Sequence, residues 1–258
     1  MKKELLIIVL SLFTFQSTKA QQFIDKAVIE YEVKANLKKT GTSGLFEDLV
    51  KDQMPEYKTG YYTLSFSGNK SLYKFDRWGA GMTTFAKNRY NSDENNVWYY
   101  NFSTGNCNID KSFWGSIVSV ADSIPQLDWK LDPTEYREIA GFNCRKAQAI
   151  LFDSVYVFAY YTEEITLPGG PAGFHGLPGT ILGITVPRLY TSWVATNVSI
   201  TGLKENTIKA PSQKKPLTYS AFKTSLKDLL KTNYTETDPE LAREQKEYAD
   251  RMYWESLM

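Results

Sequence analysis

Along much of the chain, polar and apolar residues alternate with a period of two. Residues 27–34 show it most clearly: Ile29, Tyr31 and Val33 fall on one side, Glu30, Glu32 and Lys34 on the other. Successive strand side chains point to opposite faces, so the pattern predicts an antiparallel strand with one wet face. Strands are likewise predicted over residues 61–67 and 71–78, around the hairpin signal Ser67-Gly68-Asn69-Lys70, and over 83–90, 97–102 and 107–113. Residues 116–121 are a short apolar run of undecided type. Further strands are predicted over 129–131, 136–139, 143–151, 155–162, 180–186 and 191–201, separated by turns such as Ala140-Gly141 and Asp153-Ser154. Short strands with turn signals about every 8–12 residues describe an antiparallel meander.

Two stretches leave this pattern. Leu45, Phe46, Leu49, Val50 and Met54 recur at helical spacing ahead of Pro55, which predicts a short amphipathic helix or an ordered loop. Residues 202–216 are polar, with four lysines and two prolines, and read as an exposed connection. Beyond it, Ser220 is positioned to cap a helix through Leu230. Asp238-Pro239 places an N-cap before a proline at the first helical position. Leu241, Tyr248, Ala249, Met252, Tyr253 and Leu257 then form one stripe, read as packing against the sheet in preference to a partner-binding helix. The expected fold is mainly β (α+β): a strongly curved antiparallel meander with the C-terminal helices packed against it. It forms one domain over residues 21–258, with a helical tail at 217–258.

Composition narrows the picture. The 258 residues are 42% hydrophobic and 14% aromatic, ample for a core. Thirty basic against twenty-nine acidic side chains give no basic footprint for nucleic acid. Residues 1–20 read as a signal peptide: Lys2 and Lys3, an apolar run over 5–15, and Thr18-Lys19-Ala20 before Gln21. That run is shorter than the roughly 20 residues a membrane helix needs. No cysteine follows the cleavage site to carry a lipid. The expectation is export, to the periplasm or beyond, after cleavage near Ala20, with no transmembrane anchor. Cys107 and Cys144 are then a disulfide candidate, the alternative being two separate buried thiols.

The densest signal is the stretch 168–184, PGGPAGFHGLPGTILGI, which holds six of the sixteen glycines and three of the ten prolines. Without Ser, Lys or Glu padding it reads as a shaped loop. Its Gly176-Leu177-Pro178-Gly179-Thr180-Ile181 resembles the signature of the GLPGLI family of secreted Bacteroidota proteins, with Thr180 where the family has leucine. Trp129, the run Ala140-Gly141-Phe142-Asn143-Cys144-Arg145-Lys146-Ala147 and Tyr160-Tyr161-Thr162-Glu163-Glu164-Ile165 resemble the same family over about residues 127–200. The resemblance implies an exported, β-rich protein similar in strand order to half-barrel envelope carriers. It brings no defined reaction.

Candidate chemistry is sparse. His175 is the sole imidazole, so a Ser–His or Cys–His mechanism would have to use it, yet no Gly-x-Ser-x-Gly elbow is present. A ligand-contacting or plain loop role is preferred for it. One histidine with no dense acidic cluster predicts no metal, and nothing points to a cofactor. Glu163, beside the loop, is read as holding loop amides. Residues 155–161 are apolar or aromatic on both faces, either a covered central strand or the wall of an apolar groove.

The sequence thus predicts a non-enzymatic envelope protein. It would bind an apolar small molecule or a peptide in a groove rimmed by residues 168–184, with Phe174, His175, Gly176, Leu177, Pro178, Gly179 and Glu163 as candidate ligand-binding or loop residues. The alternative is a structural module docking on an outer-membrane protein partner. Gly176→Val or Gly179→Val is expected to impair folding or secretion, and His175→Ala to leave both intact.

Overall fold

The computed structural model describes residues 24–40, 54–88, 93–113, 115–200, 208–232 and 238–258. The predicted signal peptide and all but the last residue of the 45–54 helix lie outside the described residues. Within them the chain forms β1 (Lys26–Asn36), β2 (Tyr57–Ser67), β3 (Lys70–Trp78), β4 (Val97–Asn101), β5 (Asn106–Phe113) and β6 (Ser116–Ser123). There follow β7 (Lys130–Ile139), β8 (Phe142–Leu151), β9 (Val155–Thr162), β10 (Thr180–Val186) and β11 (Thr191–Ser199). The helices are α1 (Leu37–Thr40), α2 (Thr84–Asn88), α3 (Tyr219–Thr232) and α4 (Pro239–Leu257).

All eleven strands join one antiparallel sheet in the order β6-β5-β4-β3-β2-β1-β11-β10-β9-β8-β7. It consists of two meanders sewn together where β1 pairs β11, with Tyr31 opposite Ala195 and Val33 opposite Trp193. The edges are β6 and β7, and residues 124–129 join them directly. Seven Cα steps reach at most about 25 Å. Eleven strands laid flat, about 4.8 Å apart, would separate the edges by about 48 Å. The sheet therefore curls into an open half-barrel, with α3 and α4 packed against it.

Strand alternation fills the concave side. Ile29 and Tyr31 of β1, Leu64 and Phe66 of β2, and Val155, Val157, Ala159 and Tyr161 of β9 are all essentially inaccessible. On the outer face of β9, Tyr156 is exposed and Tyr160 is covered. Charged side chains of β7 lie over it: Arg137 is 4.3 Å from the Tyr160 ring centre and Glu135 accepts its hydroxyl at 2.7 Å.

Some predicted elements change type. The strand expected over 83–90 is instead helix α2, whose first turn is capped by Thr83 Oγ1 accepting from Ala86 N at 3.2 Å. The run 116–121 is edge strand β6. The two short strands predicted over 129–139 are one strand, β7, interrupted by a bulge. Asp132 Oδ1 accepts from Thr134 N and Oγ1, and Pro133, which lacks an N–H, sits in the loop-out.

The polar connection is no free linker from residue 208 on. Gln213 Nε2 donates to Ile109 O and Asp110 Oδ1, and Leu217 bridges Val120, which covers the β6 edge. Helix α3 is capped by Thr218 one residue before its start, and Ser220 lies inside it. Asp238 does cap α4: its Oδ1 accepts from Glu240 N and Leu241 N. Among the described residues no helix is long and apolar enough to cross a membrane.

Candidate functional site: two chambers beneath the glycine-proline loop

Between β9 and β10 the chain leaves the sheet and crosses its concavity. Buried backbone groups must find partners, and here Thr180 supplies several. Its N–H donates to Ile165 O at 2.9 Å and its hydroxyl to Ile165 O and Leu167 O at 3.0 and 2.9 Å. Ile181 N donates to Gly169 O, and Tyr31 Oη reaches Ile181 O at 2.6 Å from the sheet floor.

The turn Pro171–Gly173 lies against β3, β4 and β10, with Ala172 in the left-handed region at φ 48°. Gly173 passes so close to the Tyr100 hydroxyl that a Cβ would overlap it. At Gly179, φ is +149° and a Cβ would overlap the Thr162 carbonyl. The loop is thus a packed brace, as its composition implies.

Phe174 is buried, its ring 6.5 Å from Trp129 and 6.3 Å from Trp193. Trp129 Nε1 donates to His175 O at 2.7 Å. His175 is buried too. Its Nδ1 lies 2.7 Å from Gly173 O and its Nε2 2.7 Å from Pro125 O, and its ring sits beside Tyr100 and Phe102. That double tether gives His175 a structural role, against the expectation that His175→Ala leaves folding intact.

Glu163 is corrected as well. It lies just past the end of β9, exposed, where it pairs with Arg145 at 3.0 Å and holds no loop amide.

Two cavities lie beneath this brace. The larger, about 220 Å³, is walled by Tyr100, Ile109, Leu127, Phe152 and Leu257 and bounded by Ala172, Gly173, Phe174 and His175. The smaller, about 130 Å³, is walled by Tyr62, Tyr73, Trp78, Trp98 and Trp193. Trp98, Ala172 and Met258 border both. Of the candidate loop residues, Phe174 and His175 thus face a chamber, whereas Gly176, Leu177, Pro178 and Gly179 line neither.

The smaller chamber carries charge that the sequence reading missed. Lys58 and Asp93 form a pair at 2.7 Å on its wall. Lys111 is buried, its Nζ donating to the Glu255 backbone O at 3.3 Å and lying 4.8 Å from the centre of the Trp98 ring. Burial pushes its ammonium down to about 8, against the pull of Asp93 and Glu255. Burial likewise pushes the Glu255 carboxyl up to about 7, with Arg251, Lys58 and Lys111 opposing. The Tyr73 hydroxyl closes no hydrogen bond, its loose interaction with the Trp193 indole being the weakest influence on it.

A signal existed for Lys111. It shares strand parity with Cys107, Ile109 and Phe113, so the predicted strand already turned it inward. Glu255 lies three residues after buried Met252 on α4.

Both cysteines are free and buried, on β5 and β8 near opposite ends of the strand order, so of the two alternatives the structure has the separate thiols. Burial pushes Cys107 up to about 11 and Cys144 up to about 12. Among the described residues no group of three or more His, Cys, Asp or Glu side chains is arranged to hold a metal ion.

The chain matches no protein-family model and no curated protein sequence. Its fold does resemble solved structures. PNGF-II, determined in C2 and P21 crystal forms, superposes with a TM-score of 0.50 in each at 16% identity. The match covers 77% and 80% of this chain but 32% and 33% of PNGF-II, so the chain spans about a third of that protein. An uncharacterized conserved protein from Thermus thermophilus is more distant, with a TM-score of 0.36 and 10% identity over 73% of this chain and 88% of that one. At such identities the likeness is one of fold.

Proposed function

We propose that this is an exported, non-enzymatic binding protein of the GLPGLI type that holds a small apolar group in the chamber under Ala172–His175. The observation that carries the reading is the chamber of about 220 Å³ beneath the braced loop, walled mainly by apolar and aromatic residues, with Gln126, His175 and Lys223 as polar groups on its lining. A cavity of about 150 Å³ accepts a benzene ring. The ligand class is therefore an aromatic ring, a short acyl end or a peptide side chain, smaller than a whole lipid. The non-enzymatic reading is supported by His175: both ring nitrogens face backbone carbonyls, leaving neither to activate a nucleophile.

Native mass spectrometry of the mature chain, purified from its own envelope without detergent, tests this. The expected result is an added mass that disappears on denaturation and is lost in Leu127→Trp, which fills the chamber. A bare mass, together with no displacement of a naphthylamine probe by small aromatic compounds, would overturn it.

A second reading, docking on an outer-membrane partner, draws support from Ile150 and Tyr156, which pair across β8 and β9 and are both more than half exposed. Tyr156→Lys, outside both chambers, would then release the protein from the membrane fraction while leaving the probe's binding unchanged.

A further inference from the structure

The four charged side chains lining the smaller chamber sum to zero, but they are not all paired. Lys58 and Asp93 close on each other. Lys111 has one hydrogen bond, to a backbone carbonyl, and no carboxylate partner among the described residues. The Glu255 carboxylate makes neither a hydrogen bond nor an ion pair among the described residues. A buried charge is tolerated when it is paired and hydrogen-bonded. Here an ammonium and a carboxylate border the same space without closing on each other, beside the unpartnered Tyr73 hydroxyl.

A single ion placed in the chamber would satisfy one group and leave the other bare. An apolar molecule would leave both bare. A molecule carrying an anion and a cation a few ångströms apart answers both, and the Tyr73, Trp98 and Trp193 walls take an apolar substituent. The volume of about 130 Å³ suits one amino-acid side chain.

We infer that the chamber between Lys111 and Glu255 is a binding site for a small zwitterion of the apolar α-amino-acid class, its carboxylate on Lys111, its ammonium on Glu255 and its side chain among the aromatic rings. The site is separate from the chamber under the loop, and the inference stands without that proposal.

Calorimetric titration of the mature protein with L-leucine and L-phenylalanine tests it, with N-acetyl-L-leucine, L-leucinamide and glucose as comparisons. A free amino acid should bind. The acetylated form, which lacks the cation, and the amide, which lacks the anion, should each bind about tenfold more weakly or worse. Lys111→Met and Glu255→Gln should each weaken binding by a similar factor while retaining the native circular dichroism spectrum.

The blocked analogues read the same contacts in the unaltered protein, so the test survives if a variant fails to fold. Leu127→Trp, in the other chamber, should leave amino-acid binding unchanged. The inference is overturned if neither amino acid binds or if glucose binds in their place. It is equally overturned if the blocked analogues bind as well as L-leucine, or if both variants bind L-leucine as well as the wild type does.

Discussion

His175 is tied to Pro125: its Nε2 lies 2.7 Å from the Pro125 carbonyl oxygen, fifty residues away. Pro125 belongs to the segment that joins the two edges of the sheet, so the contact fastens the brace to the mouth of the half-barrel. Nδ1 meets a second carbonyl, that of Gly173, at the same distance. Carbonyls only accept, and a neutral imidazole donates through one nitrogen, so both contacts are donations only in the doubly protonated ring.

Removing that ring should cost stability. His175→Ala takes a hydrogen-bond donor from these carbonyls and leaves a void beside Tyr100, and an unsatisfied buried polar group costs about 1–3 kcal/mol. His175→Gln, which can restore one donation, should cost less. Urea unfolding of the three proteins checks the order, and equal stability of wild type and His175→Ala would remove the tether's importance.

The glycines of the loop should rank by crowding. Gly179→Val sets a Cβ against the Thr162 carbonyl at a positive φ and should destabilise by about 2–4 kcal/mol. Gly176, at φ +91°, has nothing nearer than Trp129 at 3.7 Å, so Gly176→Ala should cost only backbone strain, about 1–2 kcal/mol. Thermal melts of the two variants show whether the ranking holds.

The thiols should be inert while the chain is folded. Cys107 donates to Asp122 O at 3.5 Å and Cys144 to Phe142 O at 3.5 Å, both buried and both pushed toward the neutral form. Iodoacetamide should add nothing to the native protein and two adducts after unfolding. No adduct on the unfolded, unreduced chain would instead reveal a disulfide.

Stability should pass through a shallow minimum near neutral pH from buried Lys111 and half-buried Glu255. Glu255 is raised from 4.5 to about 7, so its contribution is complete below 4.5 and lost as pH rises through 7. Lys111 is lowered from 10.5 to about 8, so its contribution is present above 10.5 and lost as pH falls through 8. Both burial penalties are therefore in force between about 7 and 8, moderated by Asp93, Lys58 and Arg251. Glu255→Gln should remove the loss on the acid side and Lys111→Met that on the alkaline side. Denaturant midpoints measured from about pH 5 to 10 would show it, and unchanged profiles in both variants would refute it.

The period-two pattern of Ile29, Tyr31 and Val33, the inward parity of Cys107, Ile109 and Lys111, the density of glycine and proline around His175 and the Asp238 cap were all legible in the chain, because each depends on neighbours a few residues apart. The change of residues 84–88 from expected strand to helix was not, since Thr83 and Thr84 suit a strand, and the Thr83 cap, the Lys87 N to Thr83 O bond and the burial of Ala86 emerge only in the fold. Closure of the sheet is also non-local. It places Lys111 of β5 against the Glu255 backbone 144 residues later, sets His175 on Pro125 and keeps Cys107 and Cys144 on separate strands near opposite ends of the sheet order. Alternation says which way a side chain points. Which other side chain it meets across the concavity depends on curvature and on where the helices land, and that was decided by tertiary packing alone.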